Sequence, residues 1–360
     1  MTNSSKSRPN PCASAKNCSP KTNGKKRSDN TTDKGREGQH PALNTNELPI
    51  FNRLAHSRSV LLAGCGGGYD VASAIPLWHY LRAQGKAVVF ANLSFTQLDF
   101  TDCAQPSPGC YRIDDTPAPM PYFPEKHLYD WLKQQGETAP QIYAYSNRLG
   151  VQPLRAAYRY LREEHRLDTL ILVDGGTDSL MRGDETGVGT LVEDSLSVIA
   201  AAGADYPAAY LSINAFGIEQ GLDHYPLLHN IADLTALGAY LGSHSLSADM
   251  PEGAAYLDLI HTLNERLPSH KSIINNAIAI ASAMRGAFGD HHSSARTRGS
   301  EQFINPLMPL YWYFDLNAVA ARLTFRAAVE TSQNMDEYLA AYLAARAAQP
   351  RRAERRDLPI

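Results

Sequence analysis

Four glycines fall within five residues, at Gly64, Gly66, Gly67 and Gly68, and Tyr69 and Asp70 follow at once. Glycine lets a backbone come close to a ligand, and a helix start offers unpaired N–H groups to an anion. The loop therefore reads as a cradle for a phosphate or carboxylate on a small molecule. The plainer alternative is a tight turn that needs glycine for its own geometry, although one turn does not need four. Asp70 suits a ligand hydroxyl or a metal, and equally suits the cap of the helix that follows.

A second constellation runs Asp174, Gly175, Gly176, Thr177, Asp178, then Arg182, Gly183, Asp184 and Glu185. Two acids four residues apart, with glycines between, suit a hard divalent ion such as Mg²⁺ or Mn²⁺, which takes oxygen ligands from carboxylates, water and phosphate. Asp174 and Asp178 are the expected metal ligands. Gly175, Gly176 and Thr177 join the glycine loop, Asp70 and Asn92 as the expected cofactor-binding set. Asp184 or Glu185 would supply acid/base catalysis, and in a metal-free reaction Asp174 or Glu185 would be the base. Structural readings stand beside these. Asp-Gly-Gly is a turn signal, Arg182 can pair with Asp184 or Asp178, and Thr190 with Glu193 fits a helix capping box.

The elements that would position these loops alternate between strand and helix. Apolar runs at 59–63, 87–91, 141–145, 170–173 and 209–213 read as strands, and helical spacing appears over 71–82, 125–135, 153–164 and 190–202. Both loops follow strands. Such repeated units predict an α/β fold of Rossmann-like type, a mostly parallel sheet with helices on both faces. The proline-rich stretch 94–124 reads as an irregular excursion. Residues 226–287 read as a mainly helical subdomain, 307–314 as a late strand, and helices close the domain, giving a mainly helical C-terminal portion. Residues 1–45 are polar and predict a disordered tail, 46–348 a single domain, and 349–360 a frayed end.

Known fingerprints fit poorly. A dinucleotide G-x-G-x-x-G needs glycine where Tyr69 stands, Asn92 sits where a ribose-binding acid is expected, and no P-loop occurs. Gly64, Gly66 and Gly68 fit the G-x-G-x-G turn of S-adenosylmethionine-dependent methyltransferases, but Leu62 stands where those carry an acid. Lesser candidates are Glu219 and His224 after the 209–213 strand, Ser146 and Asn147, the 290–292 Asp-His-His run, and Cys65, whose thiol a helix N-terminus would acidify.

Bulk properties exclude several classes. Hydrophobic residues are 43% and charged residues 20% of 360, with a formal net charge of -3. That gives no electrostatic case for nucleic acid or anionic lipid. No apolar run reaches the roughly 18 residues of a membrane span. Five cysteines without a C-x-x-C pair argue against a disulfide framework or zinc knuckle, so a reducing cytoplasm is the expected compartment. The oligomeric state is not legible.

Residues 61–72 (LLAGCGGGYDVA), 172–189 (LVDGGTDSLMRGDETGVG) and 216–225 (FGIEQGLDHY) together resemble an uncharacterised prokaryotic family, domain of unknown function 1152. The resemblance covers roughly residue 48 to the late helices and implies an α/β fold and cytoplasmic residence, with no activity attached. From the residues, the expectation is a metal-assisted enzyme acting on a phosphorylated or nucleotide-like small molecule. A non-catalytic sensor of such a ligand and a methyltransferase are the rival expectations.

Overall fold

Every residue of β1 (Ser59–Gly64) except the first is buried, and its side chains alternate between two separate hydrophobic cores. Val60 and Leu62 enter one core, Leu61 and Ala63 the other. A strand apolar on both faces must lie inside a sheet covered on both sides, and that is the architecture of the computed structural model. The structure describes residues 48–352 apart from 118–119, 121, 220–221, 267–274, 294–297 and 300. The tail expected over 1–45 lies outside the described residues.

The other strands are β2 (Ala87–Ser94), β3 (Ala104–Ser107), β4 (Cys110–Ile113), β5 (Ile142–Ser146), β6 (Thr169–Asp174), β7 (Ala208–Ile213), β8 (Tyr240–Ser245), β9 (Gly289–Asp290), β10 (Phe303–Ile304) and β11 (Leu310–Asp315). Nine of them form one sheet in the order β3-β4-β5-β2-β1-β6-β7-β11-β8, while β9 and β10 pair separately. The five from β5 to β7 are parallel. The edges are antiparallel. This is the Rossmann-like α/β fold expected from the alternation.

One core is closed by α1 (Pro49–Ala55), α2 (Ile75–Ala83), α3 (Pro124–Gln134), α7 (Pro251–Arg266) and α8 (Asn275–Met284). The opposite core takes α4 (Val151–Glu164), α5 (Leu191–Ala202), α6 (His224–Ala236), α9 (Leu316–Ala321), α10 (Arg326–Val329) and α11 (Met335–Ala348). The chain winds outward from β1 through β2 to β5 over the first face, then returns to β6 beside β1 and winds outward over the second. The strand order thus reverses between β1 and β6, where open α/β sheets leave a crevice at their carboxyl ends.

Local departures from the sequence expectation have local causes. Pro76 favours the first turn of a helix, so α2 starts at Ile75 and Asp70–Ala74 forms a tighter 3-10 turn ahead of it. The proline-rich excursion contains the β3–β4 hairpin, which turns at Gly109 with φ of 69°. The helical run expected over 226–287 is broken by β8. Its residues, YLGSHS, are mostly half-exposed on the sheet edge and carry little apolar signal. The helices around β8 lie on both faces of the sheet, α6 on one and α7 and α8 on the other. Of the end expected to fray, 349–360, Gln349 donates to the Gly183 carbonyl (3.1 Å) and Arg352 binds Glu185 and Asn230, while 353–360 lie outside the described residues. Among the described residues, no helix is long and apolar enough to cross a membrane.

Candidate functional site

Sheet register sets the two loops side by side. Gly64 pairs with Val173 at the ends of β1 and β6, and the Cys65 amide donates to the Val173 carbonyl at 2.8 Å. β7 ends level with β6, Ile213 against Asp174, and the Asn214 amide donates to the Gly176 carbonyl at 3.2 Å. Loops after three adjacent strands therefore open into one cleft of about 620 Å³, roofed in part by Asn276 and Ala277 of α8. The Asn276 amide group donates to the Gly175 carbonyl at 3.0 Å and ties that roof to the acidic loop.

The charged groups of the cleft wall are all acids. Asp70, Asp174, Asp178, Glu193, Asp194 and Glu219 all line it, and its described lining contains no Lys, Arg or His. Oxygen atoms of Asp70, Asp174 and Asp194 lie within 4.8 Å of one another. Oxygens on opposite sides of one ion stand ~4.2 Å apart for Mg²⁺ and ~4.8 Å apart for Ca²⁺, so the three could share a cation.

The glycines are the reason those carboxylates can crowd together. A Cβ on Gly66 would sit 2.4 Å from Asp194 Oδ1, one on Gly175 2.8 Å from Asp70 Oδ1, and one on Gly176 2.0 Å from Glu219 Oε1. Gly189 stands in the same relation to Asp178 Oδ2, at 2.7 Å. Each spacing is shorter than Cβ atoms tolerate, so each glycine leaves the room one carboxylate occupies. Gly66, Gly67 and Gly68 also hold φ of 89°, 97° and 63°, a left-handed run that L side chains resist.

Burial and mutual repulsion then push the acids toward their neutral forms. Desolvation raises Asp174 to about 8, helped by the charge of Asp178 and opposed by hydrogen bonds from Ser179 and the Gly176 amide. Desolvation, followed by the neighbouring carboxylates, raises Asp70, Asp194 and Glu219 well above their ordinary values. Burial is also the main cause of upward shifts at Asp178 and Glu193. Hydrogen bonds distinguish the members. Asp178 Oδ2 accepts from the Thr190 amide and hydroxyl, both at 2.7 Å, and Glu219 accepts from the Thr177 amide (3.0 Å) and hydroxyl (3.1 Å). Asp194 is only 3% exposed and is faced by the like charges of Asp178, Asp174 and Asp70.

The expected site residues divide into three groups. Gly66, Gly67, Gly68, Asp70, Asp174, Gly175, Gly176 and Asp178 line the cleft together. Gly64, Asn92 and Thr177 support it from behind. Asn92 Nδ2 donates to the Gly68 carbonyl (2.8 Å) and to Glu125 Oε1 (2.6 Å), and Gly64 leaves space for its Oδ1. Asp184 and Glu185, expected as acid/base groups, stand outside the cleft lining. Glu185 is fully buried, accepts from the Arg182 and Gly183 amides, and is held by Asn230 and Arg352. Asp184 faces Arg182 and Arg352. These two acids anchor the loop and the C-terminal arm rather than reach the cleft.

Other expectations change as well. The Thr190–Glu193 capping box is absent: the Thr190 hydroxyl donates to Asp178, which frees Glu193 to line the cleft. Burial, reinforced by Asp194, drives the Cys65 thiol pKa upward, opposite to the expected activation. The Gly68 amide is spent on the Leu93 carbonyl (3.1 Å), so the loop offers an anion fewer donors than its glycine count suggests. Asp194 was missed because it sits inside a helix, with no turn or glycine beside it in sequence to mark it. Glu219, a lesser candidate, lies in the cleft.

The profile of the family described as protein of unknown function (DUF1152) matches residues 125–347, well over half of the chain. The chain belongs to that family. The match starts later than residue 48, so β1 and the glycine loop precede it, while Asp174, Asp178, Glu193, Asp194 and Glu219 fall inside it. No curated protein and no solved structure matches the chain.

Proposed function

We propose that this protein is a divalent-metal-dependent enzyme acting on a phosphorylated or nucleotide-like small molecule. The observation that carries the reading is the trio Asp70, Asp174 and Asp194, with oxygens within 4.8 Å of one another in the wall of a cleft large enough for a metabolite. Asp194 supports it separately. A carboxylate this buried among other carboxylates needs a proton or a cation for its charge. Asp70, Asp174 and Asp194 would hold Mg²⁺ or Mn²⁺ in their ionised forms, and the ion would supply Lewis-acid stabilisation to a phosphoryl group. This trio takes the place of the expected Asp174–Asp178 metal pair: Asp178 Oδ2 accepts from Thr190 and helps hold the loop instead.

Glu193 is the side chain best suited to move a proton. It lines the cleft, and burial raises its pKa above the ordinary carboxylate value against the pull of a hydrogen bond from its own backbone amide. A carboxyl held above its ordinary value keeps a proton more readily and can hand it on to a substrate. Six carboxylates outweigh one divalent ion, so a phosphate would enter most easily as its own metal complex, in the manner of metal-chelated nucleotides.

A described lining with six acids and no Lys, Arg or His also favours a second reading, in which the cleft takes an organic cation directly. A single experiment separates the two. Release of phosphate or a nucleotide product is followed across a panel of phosphorylated metabolites with Mn²⁺, Mg²⁺ or chelator, beside thermal shifts with diamines. Metal-dependent turnover supports the enzyme. Stabilisation by diamines in chelator, with no metal response, replaces it with the cation-binding protein.

A further inference from the structure

A second cavity of about 600 Å³ opens beside the acidic cleft, at the ends of β2 and β5. Phe95 lines both cavities, and its ring lies against the glycine loop, with Cε2 3.6 Å from where a Gly68 Cβ would be. The ring is 42% exposed, although it sits at the junction of two concave spaces rather than on an open face. Beyond it, the second cavity is polar. Asp99 and Arg148 pair across it at 3.2 Å, and Gln97 and Asn147 contribute side-chain amides that make no hydrogen bond among the described residues.

We propose that this second cavity holds the heteroaromatic base of a nucleotide whose phosphate end lies in the acidic cleft, with Phe95 as the stacking surface. Base stacking needs an accessible aromatic face, and sequence-tolerant stacking of this kind is a strong part of nucleotide affinity. An amide group carries a donor and an acceptor together, the pattern that matches the edge of a base. The Asp99–Arg148 pair adds a charged acceptor and a charged donor to the same lining. Together the two cavities, joined at Phe95, lie along the carboxyl ends of β5, β2, β1 and β6.

The inference rests on the metal–phosphate reading of the first cleft and refines its substrate class. The test is calorimetric titration, in Mn²⁺, of inorganic phosphate, ribose 5-phosphate and the monophosphates of adenosine, guanosine, cytidine and uridine. At least one nucleotide should bind about tenfold or more tightly than ribose 5-phosphate, and Phe95→Ala should erase that advantage while leaving Mn²⁺ affinity unchanged. Asn147→Ala should reorder the preference among bases. Because Phe95 and Asn147 are not core residues, both variants should fold. Equal affinity for all nucleotides and ribose 5-phosphate, or an advantage that survives Phe95→Ala, overturns the base cavity. If Mn²⁺ binds and no nucleotide does, the base cavity falls and the metal cleft stands. If Mn²⁺ itself does not bind, both fall.

Discussion

Gly66 and Asp194 are fitted to each other across the mouth of the cleft. Gly66 lacks the one carbon that would lie 2.4 Å from Asp194 Oδ1, and its φ of 89° suits no other residue well. Two parts of the chain 128 positions apart are thereby committed to one geometry, and that geometry places a buried carboxylate beside Asp70 and Asp174.

Gly66→Ala should therefore do more damage than its size suggests. The left-handed backbone alone costs about 1–3 kcal/mol for an L residue, and the clash displaces the Asp194 carboxylate. Gly85→Ala is the control, because Gly85 has φ of 74° but nothing within 4 Å of its Cβ position. Chemical denaturation should show both variants destabilised, with Gly66→Ala the worse. Only Gly66→Ala should weaken Mn²⁺ binding. Equal losses in the two variants would mean that Asp194 moves aside freely.

Acid stability follows from the raised carboxylates. Asp174 goes from an ordinary 3.8 to about 8 in the folded chain, and Asp70, Asp194 and Glu219 move the same way. The folded state holds these protons more tightly than the unfolded state. The stability they contribute is complete below about pH 4 and is lost as pH rises toward 8. Metal-free protein in chelator should thus be less stable at pH 8 than at pH 5.5, by on the order of a few kcal/mol, and should melt at a lower temperature. Saturating Mn²⁺ should replace the protons and flatten that slope. A metal-free melting temperature that rises over the same range would contradict the burial argument.

Glu185 should behave as a structural acid. It is fully buried against Arg352, Asn230 and two backbone amides. Removing one partner of a buried charged pair typically costs about 3–5 kcal/mol. Glu185→Ala should lower the denaturation midpoint strongly, yet the folded fraction should bind Mn²⁺ as the unaltered chain does. Turnover abolished at full stability would instead restore Glu185 as an acid/base group.

Asn92 is the brace of the glycine loop. Its amide spans the Gly68 carbonyl and Glu125, whose pKa burial raises to about 7. Asn92→Ala leaves both acceptors short of a donor, at a cost of about 1–3 kcal/mol. It should also loosen the loop enough to weaken ligand binding in the cleft. Hydrogen exchange at the amides of residues 66–70 is the direct readout, and unchanged protection would show that Leu93 alone holds the loop.

The parallel strands were legible because each is a short apolar run ending at glycine or a small polar residue, as at 59–63 and 170–173. β8 was not, because an edge strand half open to solvent needs no such run. The placing of Asp70 beside Asp174 follows from strand order, which periodicity does not reveal. Asp194 needed coordinates, since a helix shows nothing in sequence of what its first turn faces. Asp184 and Glu185 misled because an acid in a glycine-rich loop looks the same whether it meets a ligand or Arg352, a partner 167 residues away from Glu185.

The central claim is that Asp70, Asp174 and Asp194 jointly hold one divalent cation. Electron paramagnetic resonance of free Mn²⁺, titrated with protein at pH 7.5, measures it directly. The account predicts saturable binding that Asp70→Asn, Asp174→Asn and Asp194→Asn each weaken by about tenfold or more, with every variant still folded. Binding of equal strength in the unaltered chain and Asp194→Asn, or none in either, would contradict it.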